Sequence, residues 1–317
     1  MKPPVLYIVV PCYNEQEVLP ETSKRLRGLV RELVGEGKID PASRITLVDD
    51  GSRDDTWQII SELCDRHECI EGLKLAHNAG HQNALWAGMM TIKEKADAMV
   101  SIDADLQDDI QAIRGFLEEY QKGADVVYGV RSKRETDTAF KRLTAEGFYK
   151  FMGFMGADVV YNHADYRLLS RRALEALSQF GEVNLFLRGM VPMLGFKTAE
   201  VYYERAERFA GESKYPLKKM ISFALEGVTS FSIKPIRWVF FTGVIFALLG
   251  VIMAIYAIIS HFAGNTVAGW SSIMVSLWII GGVQLIALGL IGEYVGKTYV
   301  ETKHRPRFIV EQYKKRD

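Results

Sequence analysis

Along the first 130 residues the hydrophobic positions gather in five short runs, Leu6–Val10, Ile45–Val48, Gly72–Ala76, Ala98–Ile102 and Asp125–Val130. Each is short and rich in strand-favouring residues. Between them, Glu15–Val34, Asp54–His67, Gln82–Lys95 and Ile110–Lys122 space their apolar residues at helical intervals. Alternation of this kind predicts an α/β domain with a mainly parallel, Rossmann-like sheet covered by helices. Ligands of such sheets sit in the crevice at the carboxyl ends of the strands. A later run, Tyr166–Leu169, reads as a further strand that returns to that end.

The pattern changes near the C-terminus. Trp238–Ile259 and Ser271–Gly292 are each 22 residues without a charge, long enough as helices to cross a bilayer core. No Lys or Arg occurs between Arg237 and Lys297. Lys218, Lys219, Lys234 and Arg237 precede the first span, and Lys297, Lys303, Arg305 and Arg307 follow the second. The positive-inside rule then puts both flanks in the cytoplasm and His261–Trp270 on the far side. The expected organisation is a cytoplasmic α/β domain over 1–215, an amphipathic interface helix over 216–236, a transmembrane hairpin over 237–297 with spans near 238–260 and 270–293, and a basic tail over 298–317. The segment before the hairpin mixes Leu217, Met220, Ile221 and Phe223 with Lys218 and Lys219. It suits either the lipid interface or packing on the soluble domain. Small residues Gly281, Gly282, Ala287, Gly289 and Gly292 would let such helices approach closely and form a homo-oligomer.

Charge narrows the partners. The 317 residues are 48% hydrophobic and 25% charged with zero formal net charge, so no bulk basic field for nucleic acid exists and phosphate binding must be local. Cys12, Cys64 and Cys69 lack the paired spacing of a zinc site or disulfide framework and read as packing residues. Val5–Val10 is too short for a signal-peptide core, which keeps the first domain cytoplasmic.

The chemistry collects at strand ends. Pro11–Glu15 follows the first predicted strand, Asp49–Ser52 the second, His77–Gly80 the third and Asp103–Asp105 the fourth. No Gly-x-Gly-x-x-Gly follows the first strand and no Gly-x-x-x-x-Gly-Lys-Ser/Thr loop occurs, which argues against dinucleotide oxidoreductases and P-loop NTPases. Asp103, Asp105 and Asp108 crowd three carboxylates into six residues. Like charges so placed call for a cation, and hard oxygen donors suit Mg²⁺ or Mn²⁺.

Six segments then occur together and in order: Val10-Pro11-Cys12-Tyr13-Asn14-Glu15, Val48 to Thr56, Asn78 to Ala84, Asp103-Ala104-Asp105-Leu106-Gln107-Asp108, Asp165-Tyr166-Arg167-Leu168, and Arg205 to Tyr215. The set resembles glycosyltransferase family two, in the branch of dolichyl-phosphate mannose synthase and bacterial polyprenyl-phosphate glycosyltransferases. The hairpin ending Gly292-Glu293-Tyr294-Val295-Gly296-Lys297 and the following Arg305-Pro306-Arg307 look like the bacterial members.

That resemblance implies a GT-A fold and an integral protein of the bacterial plasma membrane with both termini cytoplasmic. It implies metal-dependent, inverting transfer of a hexose from a nucleotide sugar to polyprenyl phosphate, with UDP-glucose the first choice of donor and UDP-N-acetylglucosamine the next. By position, Pro11, Tyr13, Glu15, Asp50 and Asp103 match nucleotide-binding residues. Asp105 and Gln107 match direct metal ligands, with Asp103 nearer the ribose. Arg205, Arg208 and Lys214 match a segment that closes over the diphosphate. Arg131, Lys141, Arg142 and Arg167 are the candidates to receive the acceptor phosphate. Asp103, Asp105, Asp165 and Arg208 form the catalytic set, and Asp165 either positions groups or acts as a base. A lipid phosphate is already ionised near neutral pH and needs no base. The family's Asn-x-Gly-Asp stands here as Asn162-His163-Ala164-Asp165, which leaves the local turn open, and His163 reads as a structural loop residue. The competing readings are a processive polysaccharide synthase, whose Gln-x-x-Arg-Trp pattern is missing here, and an inactive membrane scaffold.

Overall fold

The structure is a computed structural model that describes residues 2–132, 163–204, 234–262 and 269–316. These residues fall into two compact units, one built on a sheet and including the chain from Arg305 onward, the other built on two long helices.

The sheet unit opens with β1 (Leu6–Cys12), α1 (Leu19–Gly35), β2 (Arg44–Asp49), α2 (Thr56–Arg66), β3 (Ile70–Leu75), α3 (His81–Ile92), β4 (Ala98–Ser101) and α4 (Ala112–Gln121). It continues with β5 (Val126–Arg131), β6 (His163–Ser170), α5 (Arg171–Leu177), α6 (Leu187–Met193), β7 (Thr198–Tyr203) and, from the far end of the chain, β8 (Val310–Lys314). The strand order is β7-β5-β6-β4-β1-β2-β3-β8. The centre, β4-β1-β2-β3, is parallel. β6 runs antiparallel between β4 and β5, β7 is parallel to β5, and β8 caps β3 antiparallel. The mainly parallel Rossmann-like sheet expected from the alternation is present.

Burial explains the order. Every residue of β1 is buried, as are all of β4 and all of β2 after Arg44, as strands covered on both faces must be. α1 turns Leu19, Leu26, Leu29, Val30 and Leu33 onto the sheet, and α3 buries Ala84, Leu85, Ala87, Gly88 and Met89. Gly88 is required there, because a Cβ would stand 2.4 Å from Val9 Cγ1.

The second unit contains α7 (Lys234–Phe262) and α8 (Trp270–Thr302), which pack against each other. Among the described residues one stretch, Ile279–Thr302, has the length and apolarity to cross a membrane. The expected interface helix and the loop between the spans fall largely or wholly outside the described residues. The segment read as a basic tail is not a simple tail: α8 runs to Thr302 and Val310–Lys314 is a strand.

Candidate active site

Register builds the site. In the antiparallel pair β4–β6, Ala98 faces Ser170 and Ser101 faces Arg167. Just beyond the last paired residues, Asp103 follows β4 and Asp165 lies in β6, and both line one cleft. Ser101 Oγ donates to the Asp165 carbonyl and fixes that end of the ladder. His81, at the start of α3, lies between the two acids, its Nε2 3.6 Å from Asp103 Oδ1 and 3.8 Å from Asp165 Oδ2.

Around this pair opens a cleft of about 500 Å³ lined by Pro11, Tyr13, Glu15, Asp50, Asn78, Gly80, His81, Asp103, Asp105, Asp165 and Arg188, among others. It sits at the carboxyl ends of β1, β2 and β4, where a sheet of this kind holds ligands.

The nucleotide side is made by interlocked loops. Asn14 N donates to Ser52 Oγ at 3.0 Å, Arg53 N to Asn14 Oδ1 at 2.9 Å and Glu15 N to Thr56 Oγ1 at 2.9 Å. Tyr13 is 41% exposed, an aromatic face open to stacking. Asp50 is almost wholly buried and accepts from Ala79 N at 2.7 Å and Gly80 N at 3.0 Å. Its carboxylate holds the β3–α3 loop in place and lines the cleft at the same time. Burial raises its pKa, and those two amides pull it back.

On the metal side, Asp103 and Asp105 both line the cleft. Gln107 does not: it is nearly buried, and its backbone N donates to Asp105 Oδ1 at 3.1 Å, so it shapes the Asp-x-Asp turn. Leu106 between them has φ of 57°, a strained value for a branched side chain. Among the described residues no three His, Cys, Asp or Glu side chains group closely enough to hold a cation by themselves. The donor set still fits a hard divalent ion, since Mg²⁺-type sites take one or two carboxylates and complete their shell with substrate phosphates and water. Burial, aided by Asp165, Asp108 and Asp105 and opposed by His81, pushes Asp103 up to about 6. That excess of negative charge is what a cation would relieve.

Two predicted acceptor cations are placed elsewhere. Arg167 is fully buried. Its Nη2 donates to Asp165 Oδ1 at 2.5 Å and its Nη1 to the Leu187 carbonyl at 3.2 Å, so it braces Asp165 and cannot meet a lipid phosphate. Arg131 donates from Nη2 to Asp108 Oδ1 at 3.3 Å and from Nε to Tyr203 Oη at 3.3 Å, while Tyr203 Oη donates to Asp108 at 2.6 Å. It stands outside the residues that line the cleft.

Asp165 has a second cationic partner that the sequence did not suggest. Arg188 Nη2 lies 3.2 Å from Oδ2 and its Nε 3.4 Å from Oδ1. Burial disfavours the Asp165 charge, yet Arg188, Arg167 and His81 outweigh it and hold the carboxyl well below the usual carboxylate range. His81 lies in the Asn78–Ala84 motif, whose residue types alone give it no role, and Arg188 sits on a seven-residue helix that carries Pro192 and has no periodic signature.

The family model Glycosyl transferase family 2 matches residues 7–178, and the model GtrB C-terminal hairpin matches residues 234–298. The chain is 52% identical over 308 residues to an uncharacterized glycosyltransferase, YkoT, of Bacillus subtilis (strain 168), covering 97% of this chain and 91% of that one. The chain belongs to glycosyltransferase family 2. It is also 39% identical over 310 residues to a prophage bactoprenol glucosyl transferase homolog of Escherichia coli (strain K12), covering 97% and 99% of the two chains. With the bactoprenol glucosyl transferase of Shigella phage SfV the identity is 38% over 312 residues, covering 98% and 99%. The family positions Lys141, Arg142, Arg205, Arg208 and Lys214 lie outside the described residues.

Proposed function

We propose that the chain moves a hexose, glucose first, from UDP to the phosphate of a polyprenyl lipid such as bactoprenol phosphate, with inversion at the anomeric carbon. The observation that carries this reading is the pair Asp103 and Asp165, bridged by His81, at one end of a cleft whose other end presents Tyr13 and Asp50. Such a cleft accommodates a base and ribose at β1 and β2, a diphosphate beside Asp103 and Asp105, and a reacting carbon near β6. The printed names of the two bactoprenol relatives, aligned almost end to end, support the acceptor class.

The lipid phosphate oxygen attacks C1 of the sugar as the bond from C1 to the UDP oxygen breaks, and its electron pair leaves with the diphosphate. Bound Mg²⁺ or Mn²⁺, held by Asp103 and Asp105, would supply charge neutralisation of the leaving diphosphate. Arg205, Arg208 and Lys214 suit the same task from a segment over the diphosphate. Lys141 and Arg142 are the cations assigned to draw in the acceptor. Asp165, ion-paired on both oxygens, serves to position groups; a phosphate nucleophile leaves no proton for a base to take.

The membrane arrangement belongs to this proposal. Residues 1–215, joined by the strand Val310–Lys314, form the catalytic domain, 216–236 lie in the lipid interface, and two spans within 237–297 anchor the chain in the plasma membrane with both termini cytoplasmic. The GtrB C-terminal hairpin match and the apolar stretch Ile279–Thr302 support it, and self-association through the hairpin follows from its small residues.

The test is to incubate purified protein with UDP-glucose or UDP-N-acetylglucosamine, Mn²⁺ and undecaprenyl phosphate, and to weigh the lipid by mass spectrometry. A gain of one hexose from UDP-glucose, abolished by chelation and by Asp105→Ala in a folded protein, is expected. Failure of every donor to modify the lipid would remove the reading.

A further inference from the structure

The acceptor's phosphate is a second anion that must approach a cleft already walled by Glu15, Asp50, Asp103, Asp105 and Asp165. Among the described residues that line it, Arg188 is the one Lys or Arg. We propose that Arg188 binds the phosphate monoester of the acceptor and that Asp165 holds it in place for that task. This rests on the transfer reaction proposed above.

The order of strands supports the assignment. Across β2, β1, β4 and β6 the cleft presents Asp50, then Tyr13, then Asp103, then Asp165. A donor whose base lies at β1 and β2 and whose diphosphate lies at β4 leaves the β6 side for the group that attacks. Arg188 stands on that side.

Its mounting suits a phosphate. Both oxygens of Asp165 receive the Arg188 guanidinium, and buried Arg167 braces Asp165 from behind. The main chain beside Arg188 is fixed as well, since Leu187 N donates to Gln82 Oε1 at 2.8 Å and the Leu187 carbonyl accepts from Arg167. The Arg188 side chain is 33% exposed and lines the cleft. A planar guanidinium pre-set in this way matches phosphate oxygens in a manner a mobile lysine does not. Arg167, predicted from sequence to meet the acceptor, thus acts one step behind the residue that does.

The experiment uses the purified full chain with undecaprenyl phosphate as acceptor, and measures KM for that lipid, kcat, and UDP affinity by calorimetry. Arg188→Ala should raise the lipid KM roughly 10- to 100-fold while UDP affinity stays within about twofold, and Arg188→Lys should recover part of the loss. Arg188→Gln, which keeps a donor for Asp165, carries the same expectation should the alanine variant not fold. An unchanged lipid KM would overturn the proposal. Loss of UDP affinity in step with the lipid would overturn it too, by assigning Arg188 to the donor's diphosphate. If the unaltered protein makes no lipid product, the transfer reading itself fails; if it does and the variants match it, this assignment alone fails.

Discussion

Thr22 Oγ1 in α1 donates a 2.7 Å hydrogen bond to the carbonyl of Ala104, 82 residues away and between the two acids of the Asp-x-Asp turn. Thr22 is buried, so the bond forms without competition from water. It clamps a turn that already carries the positive φ of Leu106. Thr22→Val keeps the shape and removes the donor, leaving a buried carbonyl short of a partner. The expected cost is about 1–3 kcal/mol of stability, read by denaturant unfolding. The Mn²⁺ concentration for half-maximal transfer should rise as the turn loosens.

The raised carboxyl of Asp103 has a consequence for metal binding. In the metal-free protein Asp103 holds its proton below a pH of about 6, and a cation must displace that proton to bind. Mn²⁺ affinity in the presence of UDP should be flat above that value. Below it, affinity should fall toward about tenfold for each further pH unit. Asp103→Asn should weaken binding and flatten this part of the profile. A profile of the parent protein that stays level down to about pH 5 would contradict the placement of Asp103 among its acidic neighbours.

Arg167 and Asp165 form a buried pair, and breaking it should be felt in stability. Arg167→Met should cost about 3–5 kcal/mol, because it strips one partner from a buried carboxylate. Thermal and denaturant unfolding measure this directly. A residue that only met the lipid would show an altered KM with unfolding unchanged. The sign with pH is also fixed. Asp165 is more acidic in the folded chain than its ordinary value of 3.8, so its contribution is complete above that value and drains away as pH falls below it. Arg167→Met should therefore differ most from the parent at neutral pH and least in strong acid.

Gly51 lies where two loops touch. With φ at 65°, a Cβ there would stand 2.6 Å from both Asn78 N and His77 C. Gly51→Ala must push the Asp49–Ser52 loop away from the loop that Asp50 holds through Ala79 and Gly80. A loss of about 1–3 kcal/mol is expected from the backbone conformation, together with a raised KM for the nucleotide sugar. An unaffected donor KM would separate that loop from the nucleotide site.

The central sheet was legible because β1, β2 and β4 are buried on both faces and therefore rich in apolar residues. β7 and β8 were not. Thr198–Tyr203 alternates exposed and half-buried positions at the edge beyond β5, and Val310–Lys314 carries Glu311 and Lys314, so neither contrasts with its surroundings. The Asp-x-Asp pair and the nucleotide loops were found from motifs whose residue types carry their own chemistry. Arg167 misled for the opposite reason: an arginine in sequence suggests an exposed charge, and only the ladder with β4 reveals one wholly enclosed. Arg188 and His81 meet Asp165 through tertiary packing alone, at separations of 23 residues and of the whole span from α3 to β6.

β8 gives the sheet an unusual timetable. Its residues come off the ribosome after both long helices, yet the strand seals the open side of β3, where Ala76 N bonds the Ile309 carbonyl and Tyr313 reaches Glu71. Until Lys314 emerges, a nearly finished domain shows an unpaired edge that could capture the wrong strand. A stop codon anywhere after Thr302 and before β8 would make that interval permanent, so a nonsense change there should harm the sheet that carries the site.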